Sequence, residues 1–206
     1  VKKVKKTANS WIVSNCEDER KYDAIISTMP LPELLPCLED VPKHIIDAIN
    51  SLKYNAIIIV MIGLNKVKFI DKFAVYVVDE NILYHRLCFY SFLQADHAPS
   101  GKHTVTAEIT YYPGDKISKM SNEEIINHVI KTMEQEGFID SKDVCETDLV
   151  NARYGYVVNT IGYLDKLKII RGYFDSIGIH LCGRFAEFQY LNTSLIKICI
   201  KIKYIC

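Results

Sequence analysis

The chain has 206 residues, 49% hydrophobic and 24% charged. That length and balance exclude a disordered or fibrous chain and allow one good domain or two small ones. Lys plus Arg and Asp plus Glu each number 25, so the basic surplus that a general nucleic-acid binder carries is absent and no nucleic-acid partner is expected. In chain order, Val1 to Lys6 and Ser10 to Ser14 read as a hairpin about Thr7-Ala8-Asn9, with Trp11 and Val13 on one face. Lys2, Lys3, Lys5 and Lys6 read as a solvated edge-strand face. Cys16 to Lys21 is a polar loop, and Ala24 to Ile26 a short buried strand that Pro30 and Pro32 prevent from continuing.

Ile45, Ile46 and Ile49 give Pro42 to Ser51 a helical spacing. Asn55 to Leu64 is a long apolar strand, central in a sheet. Phe73 to Val78 and Ile82 to Phe89 are two strands joined at Asp79-Glu80-Asn81. Gln94 to Lys102 is a loop, and Thr104 to Tyr111 is a strand with Val105, Ala107, Ile109 and Tyr111 on one side. Ser121-Asn122-Glu123-Glu124 is a capping box opening a helix that ends near Glu136, where Gly137 stops it. Val144 to Tyr156 contains another strand, and Leu164 to Ser176 an amphipathic helix closing at Gly178. The centre of the chain thus reads as a sheet with a helix, while both ends look like pieces of a different sheet.

Seven cysteines, an odd number without a C-x-x-C pair, argue against a disulfide scaffold or zinc site and for a reducing cytoplasm. The six histidines are scattered without metal-ligand spacing, so no metal is expected. There is no signal peptide and no apolar run long enough to span a bilayer. The chain opens on Val1 within strand sequence, which leads us to expect that the N-terminal part of a larger protein is missing.

The segment that gathers the chemistry is Gly183-Arg184-Phe185-Ala186-Glu187-Phe188-Gln189-Tyr190-Leu191-Asn192-Thr193, which follows the short strand Ile179-His180-Leu181. Gly183 permits a close backbone approach or a turn. Arg184 offers a planar fork of donors for phosphate or carboxylate. Asn192, Thr193 and Ser194 suit the N-cap of a helix beginning near Leu195. Together these make an anion site at a helix start, or a strand end with an exposed arginine and an ordinary cap.

Gly-Arg-Phe-Ala-Glu-Phe-x-Tyr-Leu-Asn resembles the C-terminal flavin-contacting segment of the FAD-dependent amine oxidase and UDP-galactopyranose mutase superfamily. Two other stretches resemble the same family in the same order. One is Tyr22-Asp23-Ala24-Ile25-Ile26-Ser27-Thr28-Met29-Pro30-Leu31-Pro32; the other runs from Ile82 through Arg86 to Phe92 and on to Thr106-Ala107-Glu108-Ile109-Thr110. The resemblance covers about Tyr22 to Asn192. It implies an α/β chain in which residues 1–35 return to an FAD-binding domain, residues 36–155 form a mixed-sheet substrate domain with helices, and residues 156–206 are the C-terminal strands of a Rossmann-like domain.

By position, the resemblance sets Gly183 and Arg184 on the FAD diphosphate, with Tyr190, Leu191 and Asn192 beside the flavin. It sets Arg86, Tyr156 and Tyr190 on the substrate, a small molecule such as a nucleotide sugar or an amine. It also implies an FAD-facing apolar surface prone to association. A sheet-face arginine packed on its neighbours is an equal reading of Arg86. Glu187 reads as a surface or cap-pairing carboxylate, and His85 as structural.

Two features depart from the family pattern. No G-x-G-x-x-G follows any strand, and Lys197 to Lys203 alternate with strand period where the family has an amphipathic helix. The chain is therefore expected to be the C-terminal part of a flavin-dependent oxidoreductase or mutase-like enzyme. The alternative is a non-catalytic remnant or partner subunit that needs a separate Rossmann-bearing chain.

Overall fold

The computed structural model describes residues 1–68, 71–93 and 98–192. These form two compact units: one is Asn55–Gly155, the other Val1–Tyr54 with the described residues from Tyr156 onward.

The first unit in chain order opens on a three-stranded antiparallel meander, β1 (Lys3–Lys6), β2 (Trp11–Ser14) and β3 (Glu19–Tyr22). The hairpin pairs Lys6 with Trp11, and Thr7 N–H closes its turn on the Ser10 carbonyl at 2.8 Å. β3 is a strand where a polar loop is expected. Every residue of it is exposed, so it carries no hydrophobic alternation to announce it. β4 (Ile25–Ser27) follows, then α1 (Leu31–Leu34) and a 3-10 turn over Leu35–Cys37. Pro30 caps α1 and Pro32 lies in its first turn, where a missing N–H costs nothing. A proline turn and a short helix are therefore the same sequence here. α2 (Lys43–Asn50) turns Ile45 and Ile49 inward, as their spacing requires.

The second unit is a five-stranded sheet in the order β6-β7-β8-β5-β9. Its strands are β5 (Lys53–Leu64), β6 (Ala74–Tyr76), β7 (Arg86–Phe89), β8 (His103–Tyr111) and β9 (Val144–Val158). β5 lies between β8 and β9 and pairs antiparallel with β8 from Ala56↔Tyr111 to Leu64↔His103. Strand alternation sends Ile58, Val60 and Ile62 of β5 and Val105, Ala107 and Ile109 of β8 into one core. Ile125, Val129 and Met133 of α3 (Asn122–Gln135) complete that core. The capping box is fully formed: Ser121 Oγ accepts from Glu124 N–H, and the Glu124 carboxylate accepts from Ser121 N–H. Gly155 is glycine by necessity, since a Cβ there would sit 2.9 Å from Ile57 Cβ.

The chain then returns to the first unit through α4 (Tyr163–Ile177), which stops at Gly178 in the left-handed conformation. β10 (Ile179–Leu181) lies parallel to β4, with Ile179↔Ile25 and Leu181↔Ser27. Leu31, Leu34, Ile45, Ile49, Ile170, Phe174 and Phe188 fill this unit's core.

The compact units divide at Tyr54/Asn55 and at Gly155/Tyr156, and α2 shares the core that holds Ile170 and Phe174 of α4. β4 is not wholly buried, since Ile26 is 52% exposed. The cap residues Thr193 and Ser194, the helix expected from Leu195 and the alternating tail lie outside the described residues.

Candidate functional site

Parallel pairing of β4 and β10 brings the ends of two short strands together. Cys182 N–H extends the ladder by one bond, donating to the Ser27 carbonyl at 2.9 Å. From there the chain enters a tight turn. Gly183 has φ of 101°, which only glycine adopts without strain. A Cβ at Gly183 would meet nothing within 4 Å, so turning, not a close approach among the described residues, is what requires glycine. Glu187 N–H donates to the Gly183 carbonyl at 2.8 Å and Gln189 N–H to the Arg184 carbonyl at 2.9 Å, winding one helical turn. Leu31 N–H, at the start of α1, donates to the Phe185 carbonyl at 3.3 Å and ties the turn to the β4 side.

Phe188 closes the turn with φ of 49° and is fully buried. A bulky residue in the left-handed region is strained and persists only where packing holds it. Its ring supplies that packing, lying edge-on to Phe185 at 6.4 Å within the unit's core.

The turn aims Arg184 back across its own loop. Its Nε and Nη2 donate to the Leu191 carbonyl at 3.3 and 3.2 Å. The guanidinium lies 4.5 Å from the Tyr190 ring centroid and 5.8 Å from that of Tyr156. The two tyrosine rings are stacked, with centroids 6.0 Å apart and planes 22° from parallel. A cation over stacked phenols is favourable by quadrupole attraction, and it fixes Tyr190 although that residue is 63% exposed. Arg184, Tyr156 and Tyr190 thus converge, with Leu191 as the arginine's acceptor and Asn192 exposed beside them.

Glu187, read from sequence as a surface or cap-pairing carboxylate, is instead 5% exposed. The turn carries it inward, where Arg171 Nη2 donates to its backbone carbonyl at 3.2 Å. At the mouth of β4 a cavity of about 330 Å³ is lined by Tyr22, Ile26, Ser27, Thr28 and Met29, among others.

Arg86 lies in the other unit, on β7. It pairs in register with Glu108 of β8, and its Nη2 donates to Glu108 Oε1 at 2.5 Å. The Glu108 side chain is 10% exposed and that of Arg86 28%. His85 Nε2 is 4.0 Å from the other carboxylate oxygen. Burial lowers the His85 imidazole below its ordinary pKa, partly opposed by the Glu108 charge. The Glu108 partner escaped the sequence reading, though the register that joins it to Arg86 is the only signal needed to find it.

The residues around Arg184 are compatible with a flavin dinucleotide. Arg184 Nη1 makes no hydrogen bond among the described residues, and neither do the N–H groups of Gly183 and Arg184, so these donors are open to an anionic group. When bound, such a cofactor supplies the redox chemistry, and the protein supplies orientation and charge.

Among the described residues no helix is long and apolar enough to cross a membrane, and no group of His, Cys, Asp and Glu could hold a metal ion. No curated protein matches the chain. Solved structures do. Reduced UDP-galactopyranose mutase superposes with a TM-score of 0.75 at 19% identity, covering 89% of this chain and 40% of that one. A CLA-producing fatty acid isomerase from P. acnes gives 0.66 at 14%, covering 98% and 47%. A cofactor-site redesign of putrescine oxidase gives 0.65 at 13%, covering 91% and 46%. The chain therefore spans less than half the length of these structures, and at such identities the likeness establishes the mixed α/β fold. The flavin containing amine oxidoreductase family matches residues 1–162, and the chain belongs to that family.

Proposed function

We propose that this chain supplies part of the flavin site and the substrate domain of an FAD-dependent oxidoreductase. The observation that carries the reading is the cluster of Arg184, Tyr190 and Tyr156 beyond the parallel β4–β10 pair. Ligands of α/β proteins bind beyond the carboxyl ends of parallel strands, which is where this cluster stands. In the proposal, Gly183 and Arg184 N–H groups and the uncommitted Arg184 Nη1 meet the cofactor's diphosphate. Tyr190, Leu191 and Asn192 lie along the flavin, and the stacked Tyr156–Tyr190 pair presents its phenols to substrate. The five-stranded sheet of residues 55–155 is the substrate domain. No catalytic acid or base is assigned, since the flavin itself carries the electron transfer.

A second reading is a chain that completes a flavin site only with a separate domain bearing G-x-G-x-x-G. The β4–β10 sheet supports it. Parallel strands are normally covered on both faces, yet Ile26 of β4 is 52% exposed.

Titration of the chain with FAD, followed by flavin fluorescence, separates the two. The first reading expects saturable quenching that Arg184→Ala weakens about tenfold, the worth of one lost charge-assisted contact to phosphate. No quenching by the wild-type chain, with quenching restored on adding a Rossmann-bearing domain of the family, establishes the second. Quenching that Arg184→Ala leaves unchanged removes Arg184 from the diphosphate.

A further inference from the structure

A cavity of about 280 Å³ lies where α4 runs into β10, bordered by that helix, by β1 and β2 and by the stretch before α2. The Arg184 turn follows the other end of β10, and none of its residues lines this space. Trp11, the chain's only tryptophan, forms one wall. It is 6% exposed, and its indole N–H has no hydrogen-bond partner among the described residues. A largely buried donor without an acceptor is costly, so an acceptor brought from outside is favoured there.

Lys6 is fixed beside that wall by the end of α4. Its Nζ donates to the Ile177 carbonyl at 2.6 Å and stands 5.6 Å from the Trp11 ring centroid. The carboxyl end of a helix attracts a cation, so the ammonium is in place before any ligand arrives. Lys5 borders the same cavity. So does Asp40, held at φ of 55°. The neighbouring Glu39 is answered by Lys3 at 2.5 Å, but the Asp40 carboxylate has no ion pair or hydrogen bond among the described residues. Burial raises the pKa of the Tyr173 phenol and the Asp40 charge raises it further, which keeps the phenol neutral, with an oxygen able to accept.

Lys5, Lys6 and Asp40 therefore border one small space without pairing among themselves. An anion alone would meet the Asp40 charge, and a cation alone would meet two lysines. A ligand that carries both charges satisfies all three. Val4 and Leu38 add apolar wall. At roughly 30 Å³ per water the cavity holds about nine waters, which sets a ligand near ten non-hydrogen atoms.

We propose that this cavity binds a small zwitterion of the free α-amino acid class with an apolar side chain. Its carboxylate meets Lys5, Lys6 and the Trp11 N–H, and its ammonium meets Asp40 and the Tyr173 hydroxyl oxygen. This is a binding site, and no reaction is assigned to it.

Trp11 supplies the readout, since intrinsic tryptophan emission has no other source in the chain. The whole chain, without flavin, is titrated with L-leucine, with isocaproate, which lacks the ammonium, and with isoamylamine, which lacks the carboxylate. L-Leucine is expected to give a saturable change with its midpoint below about 1 mM, and each half-ligand to bind at least about tenfold more weakly. Asp40→Asn, whose amide side chain suits the positive φ, is expected to weaken L-leucine about tenfold and to leave isocaproate unchanged. No saturable change with L-leucine overturns the proposal. So does either half-ligand binding as tightly as L-leucine, or a folded Asp40→Asn chain that binds L-leucine like wild type. Should Asp40→Asn not fold, the two half-ligands decide. No flavin takes part, so the outcome is independent of the FAD titration.

Discussion

The two units reach comparable cores by opposite routes. The unit of residues 55–155 is one continuous stretch, built from long strands and a fully capped helix. The other is assembled from two stretches of chain, and its key pairings join residues far apart in sequence. β4 pairs with β10, and Lys6 Nζ donates to the Ile177 carbonyl across 171 residues. Closing so long a loop costs only slightly more than closing a short one, because the entropy grows with the logarithm of length. A split unit therefore need not be weak, but its stability must come from packing of side chains that no local signal brings together. Phe174 of α4, Phe188 of the turn and Leu31 of α1 are fully buried in one cluster and show how that is done.

The largest effect that would break this comparison is loss of Phe174. Phe174→Ala should cost about 3–5 kcal/mol, the lost transfer energy plus an unfilled cavity. Hydrogen exchange should speed up in α4, β4 and β10 while β5 and β8 keep their protection. Equal loss in β5 and β8 would mean that the two cores unfold together and that the division into units has no energetic meaning.

Gly155→Ala probes the continuous unit. The new methyl would stand 2.9 Å from Ile57 Cβ and 3.1 Å from the Ala56 carbonyl carbon, so β9 must move away from β5. Overpacking of this kind costs about 1–3 kcal/mol. The exchange pattern should be the reverse of that for Phe174→Ala, with β5 and β9 losing protection and α4 unaffected. A variant as stable as wild type would show that β9 is free to shift and does not belong to the sheet's rigid part.

The same contrast explains what was legible in the sequence. β5, β8 and α3 announce themselves through apolar runs, period-2 alternation and the Ser121 to Glu124 box, all of which act over a few residues. β3 does not, because Glu19-Arg20-Lys21-Tyr22 is held by pairing with β2 and buries nothing. In the candidate site, Gly183 and Arg184 stand out by residue type. The stacking of Tyr156 on Tyr190, and the turn of Arg184 back onto Leu191, follow from a fold that neither segment encodes by itself. Phe188 runs against local preference, since a phenylalanine at positive φ is chosen by the core it fills. The Arg86–Glu108 pair is intermediate: both residues lie in readable strands, but their partnership needs the register between them.

The smallest predicted effect concerns how the continuous unit holds a loop. His128 of α3 accepts a hydrogen bond at Nε2 from Leu83 N–H at 3.3 Å, which requires that nitrogen to be unprotonated. Burial lowers the His128 pKa, and the charges of Lys131 and Lys116 lower it further. A histidine whose folded pKa is depressed contributes stability above its unfolded value of about 6.5 and loses it as pH falls toward the folded value. His128→Gln sets an amide oxygen near the Nε2 position, an acceptor that does not titrate. The melting temperature of wild type minus that of His128→Gln should therefore be flat above about pH 6.5 and fall as the pH drops below it. Using the difference removes the contribution of His85, whose pKa is lowered in the same direction. A difference that stays flat across the whole range would mean that protonated His128 is accommodated without loss of the Leu83 contact. The loop before β7 would then be held by its other contacts, among them buried Tyr84 and the His85 N–H bond to the Glu108 carbonyl.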